Sequence, residues 1–133
     1  MLRAVADTHA VIWYLYDDPR LSALARAVFE EAAAAGDQIG FSTITLAEIV
    51  YLSEKGRLHS QVFGRLLAAL DQSASVLREL PFDRAAAAVL PAIDRSKVPD
   101  FPDRLIAATT QLYGVPLISR DRKIQLSGLI TVW

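Results

Sequence analysis

The chain has 133 residues, 53% of them hydrophobic, and no cysteine; that is the length of one domain, residues 1–133, with enough apolar content for a core, and it excludes disulfide scaffolds, thiol catalysis and cysteine-bound zinc. Fourteen Lys and Arg against fifteen Asp and Glu give a net charge of −1, which excludes capture of nucleic acid by bulk positive charge alone. The longest unbroken apolar run, Ala10 to Tyr16, is too short to span a membrane, and Asp7 comes too early for a signal peptide, so the expected setting is the cytoplasm, with apolar surface left over for an oligomer.

Leu2 to Ala6 is a short apolar run ending at Asp7, and His9 to Tyr16 continues without glycine or proline, the pattern of a strand running into a helix. Asp17-Asp18-Pro19 breaks the chain, and Leu21, Leu24, Ala25, Val28 and Phe29 recur at helical spacing until Gly36. Ile39 to Ser42 reads as a strand, the residues around Leu46 to Lys55 as a helix, and Ser60 to Gln72 as an amphipathic helix. Val76 to Leu80 is the next strand. Asp83 then caps an alanine-rich helix expected to reach about Arg95, and Ser96 to Phe101 is a loop. Pro102 opens a helix whose apolar face is Leu105, Ile106, Ala108, Thr109 and Leu112 and which Tyr113-Gly114 closes. Val115 to Ser119 and Leu129 to Val132 are the last strands. Short apolar strands separated by helices imply βαβ units and a mostly parallel sheet covered on both faces.

In such a sheet ligands bind beyond the carboxyl ends of the strands. Four acids fall at or near those junctions: Asp7 after the first strand, Glu48 in the helix after the second, Asp103 at the start of the helix after the loop, and Asp121 after the strand ending at Ser119. Carboxylates gathered in a partly desolvated pocket repel one another unless a cation offsets them, and an all-oxygen ligand set favours Mg²⁺ or Mn²⁺. Each acid also has a plainer reading as a helix cap. Asp7 suits an N-cap, Thr45-Leu46-Ala47-Glu48 has the spacing of a capping box, Asp100 to Asp103 nearly so, and Asp121 suits a short turn before Ile124.

The residues Asp7-Thr8-His9-Ala10, Asp17-Asp18-Pro19-Arg20-Leu21-Ser22, Glu48, Pro102-Asp103-Arg104-Leu105-Ile106-Ala107-Ala108-Thr109 and Leu117-Ile118-Ser119-Arg120-Asp121 together resemble PIN domains of the VapC toxin type, over essentially the whole chain. The resemblance implies a PIN-like three-layer α/β/α fold and a Mg²⁺- or Mn²⁺-dependent endoribonuclease. It further implies a homodimer held inactive by a cognate antitoxin. Carried onto this chain, it makes Asp7, Glu48, Asp103 and Asp121 the catalytic acids, with Asp7, Asp103 and Asp121 as metal ligands and Ser119 as the supporting hydroxyl.

Arginine outnumbers lysine eleven to three, and Arg104, Arg120 and Arg122 are candidate contacts to RNA phosphates. His9 reads as a packed or supporting residue rather than a base, and Trp13, Tyr14, Tyr16 and Tyr51 as core or interface. Ser42, Ser119 and Ser127 lack the histidine context of a nucleophile, and there is no glycine-rich phosphate loop. Two other readings are a receiver-like regulatory module using Asp7 and Lys123, which leaves Glu48 and Asp103 without a role, and a catalytically inert PIN-like binding module. An aspartate phosphatase would want an acid where His9 stands.

Overall fold

In the computed structural model, which describes residues 1–133, five short strands form one sheet: β1 (Leu2–Ala6), β2 (Gln38–Ser42), β3 (Leu77–Leu80), β4 (Leu117–Ile118) and β5 (Thr131–Val132). Every pairing is parallel, and the order across the sheet is β3-β2-β1-β4-β5. Parallel neighbours need crossovers, and helices supply them. Helices α1 (Thr8–Leu15) and α2 (Ala23–Ala35) link β1 to β2, and α3 (Thr43–Glu54) and α4 (Val62–Leu70) link β2 to β3. Helix α5 (Arg84–Val89), a 3-10 turn at Leu90–Ala92 and α6 (Phe101–Tyr113) lead to β4, and α7 (Arg122–Gln125) leads to β5. No helix is long and apolar enough to cross a membrane.

Successive strand residues face opposite sides, so two cores form. Ala4, Ala6, Ile39, Phe41 and Ile118 pack on one side with Val11, Phe29, Ile49 and Leu66. Val5, Leu80 and Leu117 pack on the other with Ile93, Ile106, Ala108 and Ile124. The result is the three-layer α/β/α arrangement, and burial of both sheet faces is why the strands read as apolar runs rather than alternating ones. At Gly40 a Cβ would lie 2.5 Å from Leu80 Cδ1, so the missing side chain lets Leu80 close over β2.

Chain order dictates where a ligand fits. Strands β1 to β3 are laid outward in one direction, after which the chain returns across β1 to place β4 on its other side. Strand order therefore reverses between β1 and β4, and the crevice beyond their carboxyl ends is the place where open α/β sheets hold ligands. Ala6 pairs with Ile118, and Asp7 N donates to Ile118 O at 3.1 Å. Asp7 and Ser119 thus leave the sheet side by side.

Several expectations are corrected. The alanine-rich helix does not reach Arg95: α5 ends at Val89 and the chain tightens into the 3-10 turn containing Pro91, whose ring would clash with the carbonyl of a continuing α-helix. Thr45 and Glu48 form no capping box. Helix α3 starts three residues earlier than that box requires, with Ser42 as N-cap accepting from Ile44 N at 3.1 Å. Thr45 consequently lies inside the helix, fully buried. Helix α6 opens at Phe101 rather than Pro102, with Asp100 as N-cap, so Asp103 sits in its first turn.

Candidate active site

The switch-point crevice is a cleft of about 450 Å³ whose lining holds five carboxylates, those of Asp7, Glu48, Asp100, Asp103 and Asp121. All four acids singled out in the sequence are there. Asp100, read there only through its capping spacing, is the fifth. Thr8, His9, Trp13 and Arg120 complete the wall.

Asp7 is 9% exposed and N-caps α1, its Oδ1 accepting from Ala10 N at 2.9 Å. Burial raises its pKa, while hydrogen bonds from Ser119 and Ala10 N and the nearby His9 ring hold it down. Asp121 N-caps α7 in the same manner, accepting from Ile124 N at 3.1 Å, and its own amide donates to Ser119 Oγ at 3.1 Å. Buried Ser119 therefore ties the first acid to the fourth. Asp100 caps α6 by accepting from Asp103 N at 3.1 Å. For Asp7, Asp100 and Asp121 capping and a place in the cleft coincide.

Glu48 and Asp103 cap nothing. Glu48 is half-buried on α3, and Thr8 Oγ1 donates to its Oε1 at 2.6 Å. Burial raises the Glu48 pKa most, with Asp100 and Asp7 adding to the rise, while Thr8 and His9 pull it down. Asp103 is the extreme case. Burial, then the charges of Asp100, Asp121, Asp7 and Glu48, push its pKa up to about 7.

No three of these carboxylates stand close enough to hold an ion among themselves. The donor set fits Mg²⁺ or Mn²⁺ nonetheless, because Mg²⁺ retains several waters and takes only one or two carboxylates together with substrate phosphates. Asp103 supplies the matching demand: a partly buried carboxylate among four other acids.

The cleft gathers oxygen donors at a sheet switch point, and the match along the sequence decides the family. The PIN domain model matches residues 4–126. This chain belongs to the PIN domain family. Across its full length this PIN domain is 29% identical to Ribonuclease VapC22 of Mycobacterium tuberculosis, over 136 residues and 100% of each chain. Its fold is similar to that in VapBC2 of Rickettsia felis bound to a promoter DNA fragment, with a TM-score of 0.71, 19% identity and coverage of 98% and 97% of the two chains. It is also similar to a chain in a toxin-antitoxin complex from Klebsiella pneumoniae, at TM-score 0.67, 25% identity and coverage of 98% and 96%.

Of the three arginines, Arg104 is not at the cleft of this PIN domain. Its Nη2 donates to Leu90 O at 3.2 Å and Ile93 O at 2.9 Å, and its Nε is buried without a partner. It pins the 3-10 turn to α6, and the expectation that it meets RNA is corrected. Arg120 lines the acidic cleft, and Arg122 lines a neighbouring depression with Asp103 and Asp121. His9 is exposed on the rim rather than packed inside, its ring 5.6 Å from that of Trp13. Trp13 is 4% exposed and Tyr14 stacks on Phe29 at 4.2 Å, whereas Tyr16 and Tyr51 are exposed.

Thr8 was missed as a site residue. Its only sequence signal is adjacency to Asp7, because its partners Thr45 and Glu48 come from a helix some forty positions away.

Proposed function

We propose that this PIN domain is a divalent-metal-dependent endoribonuclease of the toxin type, acting as a homodimer and held in check by a cognate antitoxin protein. The observation that carries the reading is the gathering of five carboxylates in one cleft, where burial and the other four push the Asp103 carboxyl up to about 7. Such a group is costly to maintain unless a cation offsets its charge in use. The ribonuclease name of the full-length relative and the toxin-antitoxin complexes among the similar structures support the substrate and the partner.

Asp7, Asp103 and Asp121 are the candidate ligands for Mg²⁺ or Mn²⁺, which would take one or two of them directly and reach the rest through its retained waters. When bound, the ion supplies a lowered water pKa and neutralises charge on the phosphodiester. Glu48 Oε1 is committed to Thr8, which leaves Oε2 to orient the attacking water and take its proton. As the water oxygen bonds to phosphorus, the bond to the leaving ribose oxygen breaks and that oxygen takes up a proton. Ser119 keeps the Asp7 carboxylate in place through its hydroxyl. His9 adds positive character beside Asp7 and Glu48, favouring their ionised forms.

The test is cleavage of single-stranded or loop RNA by the purified protein freed of antitoxin. Activity abolished by chelation and restored by Mg²⁺ or Mn²⁺ is the expected result. Cleavage that persists in excess chelator would overturn it.

A further inference from the structure

Arg120 stands in a cleft with five carboxylates and joins none of the four ion pairs of the chain. Its guanidinium carbon lies instead 4.5 Å from the centre of the Trp13 ring. Trp13 is itself fixed. It is buried on α1, with the Trp133 ring edge-on at 5.8 Å and the His9 ring at 5.6 Å.

A second guanidinium, that of Arg20, lies 5.1 Å from the same ring. Arg20 differs in one respect: Nη2 is bound to Asp18 Oδ2 at 2.7 Å and Nε to Oδ1 at 3.1 Å, so its fork and its charge are already spent on a carboxylate. The indole draws on the charge of a cation without supplying a carboxylate acceptor. Arg120 is thereby held in position while its planar fork of donors remains open to a phosphate. The same hold keeps it from collapsing onto the acids and filling the place of the cation.

We propose that Arg120, seated on Trp13 at the rim of the acidic cleft, is the arginine that binds a backbone phosphate of single-stranded RNA and so sets the strand across the acids. This rests on the ribonuclease reading above. Arg20, on the same ring with its charge paired, is the internal control.

The experiment measures binding of a short fluorescein-labelled single-stranded RNA of mixed sequence at several salt concentrations, in an Asp103→Asn background that does not consume the probe. Arg120→Ala should weaken binding roughly tenfold at low salt, the scale of one charged hydrogen-bonded contact. It should also lower the slope of log Kd against log salt by about 0.7, one phosphate on a single strand. Arg120→Lys should restore the slope and only part of the affinity, because a point charge replaces the fork. Arg20→Ala should leave both unchanged. In the otherwise wild-type enzyme Arg120→Ala should raise KM more than it lowers kcat. The proposal is overturned if Arg120→Ala binds as the parent does, or if Arg20→Ala matches it. No RNA cleavage by the wild-type protein in Mg²⁺ or Mn²⁺ overturns the ribonuclease reading instead, and cleavage that survives Asp103→Asn removes Asp103 from the reacting site.

Discussion

Thr8 Oγ1 donates to Glu48 Oε1 at 2.6 Å, and because a hydroxyl carries a single proton, the 3.0 Å contact between Thr8 and Thr45 must run from Thr45 Oγ1 to Thr8. Two buried hydroxyls therefore form a one-way relay that ends on a catalytic candidate. Each donation polarises the next, and the low dielectric around them strengthens both. Thr8 acts on the chemistry by positioning Glu48. Thr8→Val, which keeps the shape and removes the proton, should lower kcat roughly ten- to hundredfold with KM for RNA little changed. Thr8→Ser should recover most of the loss. Equal defects in Val and Ser variants, or a change confined to KM, would show that the hydroxyl does not act through Glu48.

Substitutions that preserve capping separate the two roles of the acids. Asparagine caps a helix about as well as aspartate, so Asp7→Asn and Asp121→Asn should keep α1 and α7 intact. Asp103→Asn and Glu48→Gln touch no cap. All four should fold, and Asp7→Asn and Asp103→Asn should lose roughly a hundredfold or more of cleavage. Isothermal titration with Mn²⁺ should show weakened binding for both. Wild-type cleavage and metal affinity in that pair would leave Asp7 a helix cap only and Asp103 without a part in the chemistry.

In chelator the acids should make stability depend on pH in an unusual direction. The Asp103 carboxyl holds its proton up to about 7 when folded, against 3.8 for an ordinary aspartate. Between those values the folded state binds more protons than the unfolded one, so stability falls as pH rises through the window and is lowest above about 7. Burial raises Asp7 and Glu48 in the same sense. The lowered carboxyls of Asp18, Asp37 and Asp94 act oppositely, but only below the ordinary aspartate value. Melting temperature in chelator should therefore climb from pH 8 to pH 5, and Asp103→Asn should flatten the climb and raise the pH 8 value. A wild-type protein most stable at pH 8 without metal would contradict the arrangement of charges.

Arg104 should behave as a structural residue. Arg104→Ala removes two donations to backbone carbonyls of the 3-10 turn, a loss of about 1 to 3 kcal/mol of stability for charged hydrogen bonds. Urea unfolding should show it, with the RNA salt slope unaltered. A reduced slope at unchanged stability would place Arg104 at the substrate after all.

The sequence carried the sheet and the four acids because both leave local signs. Leu2 to Ala6 is an apolar run that stops at a carboxylate, and Pro102-Asp103 opens a helix after a loop. Other features depend on distant partners. Nothing near Arg104 says that its guanidinium turns back to Leu90 and Ile93, and nothing near Thr8 says that Glu48 will meet it. The alanine run alone favours a helix to Arg95, but the ring of Pro91 ends α5 at Val89. The box at Thr45 failed since Ser42, at the end of β2, had already begun the helix.

The reversal of strand order between β1 and β4 also governs when the chain becomes an enzyme. Asp7 and Glu48 lie in its first half, but Asp103 and Asp121 come with α6 and with the turn after β4, and β4 joins the earlier strands only by pairing against β1. During synthesis from the N-terminus, the emerging polypeptide can assemble β1 to β3 and their helices while half of the acidic set is still missing. Cleavage becomes available only after Asp121 has emerged, so a ribosome stalled before that point releases a fragment without the full acidic set.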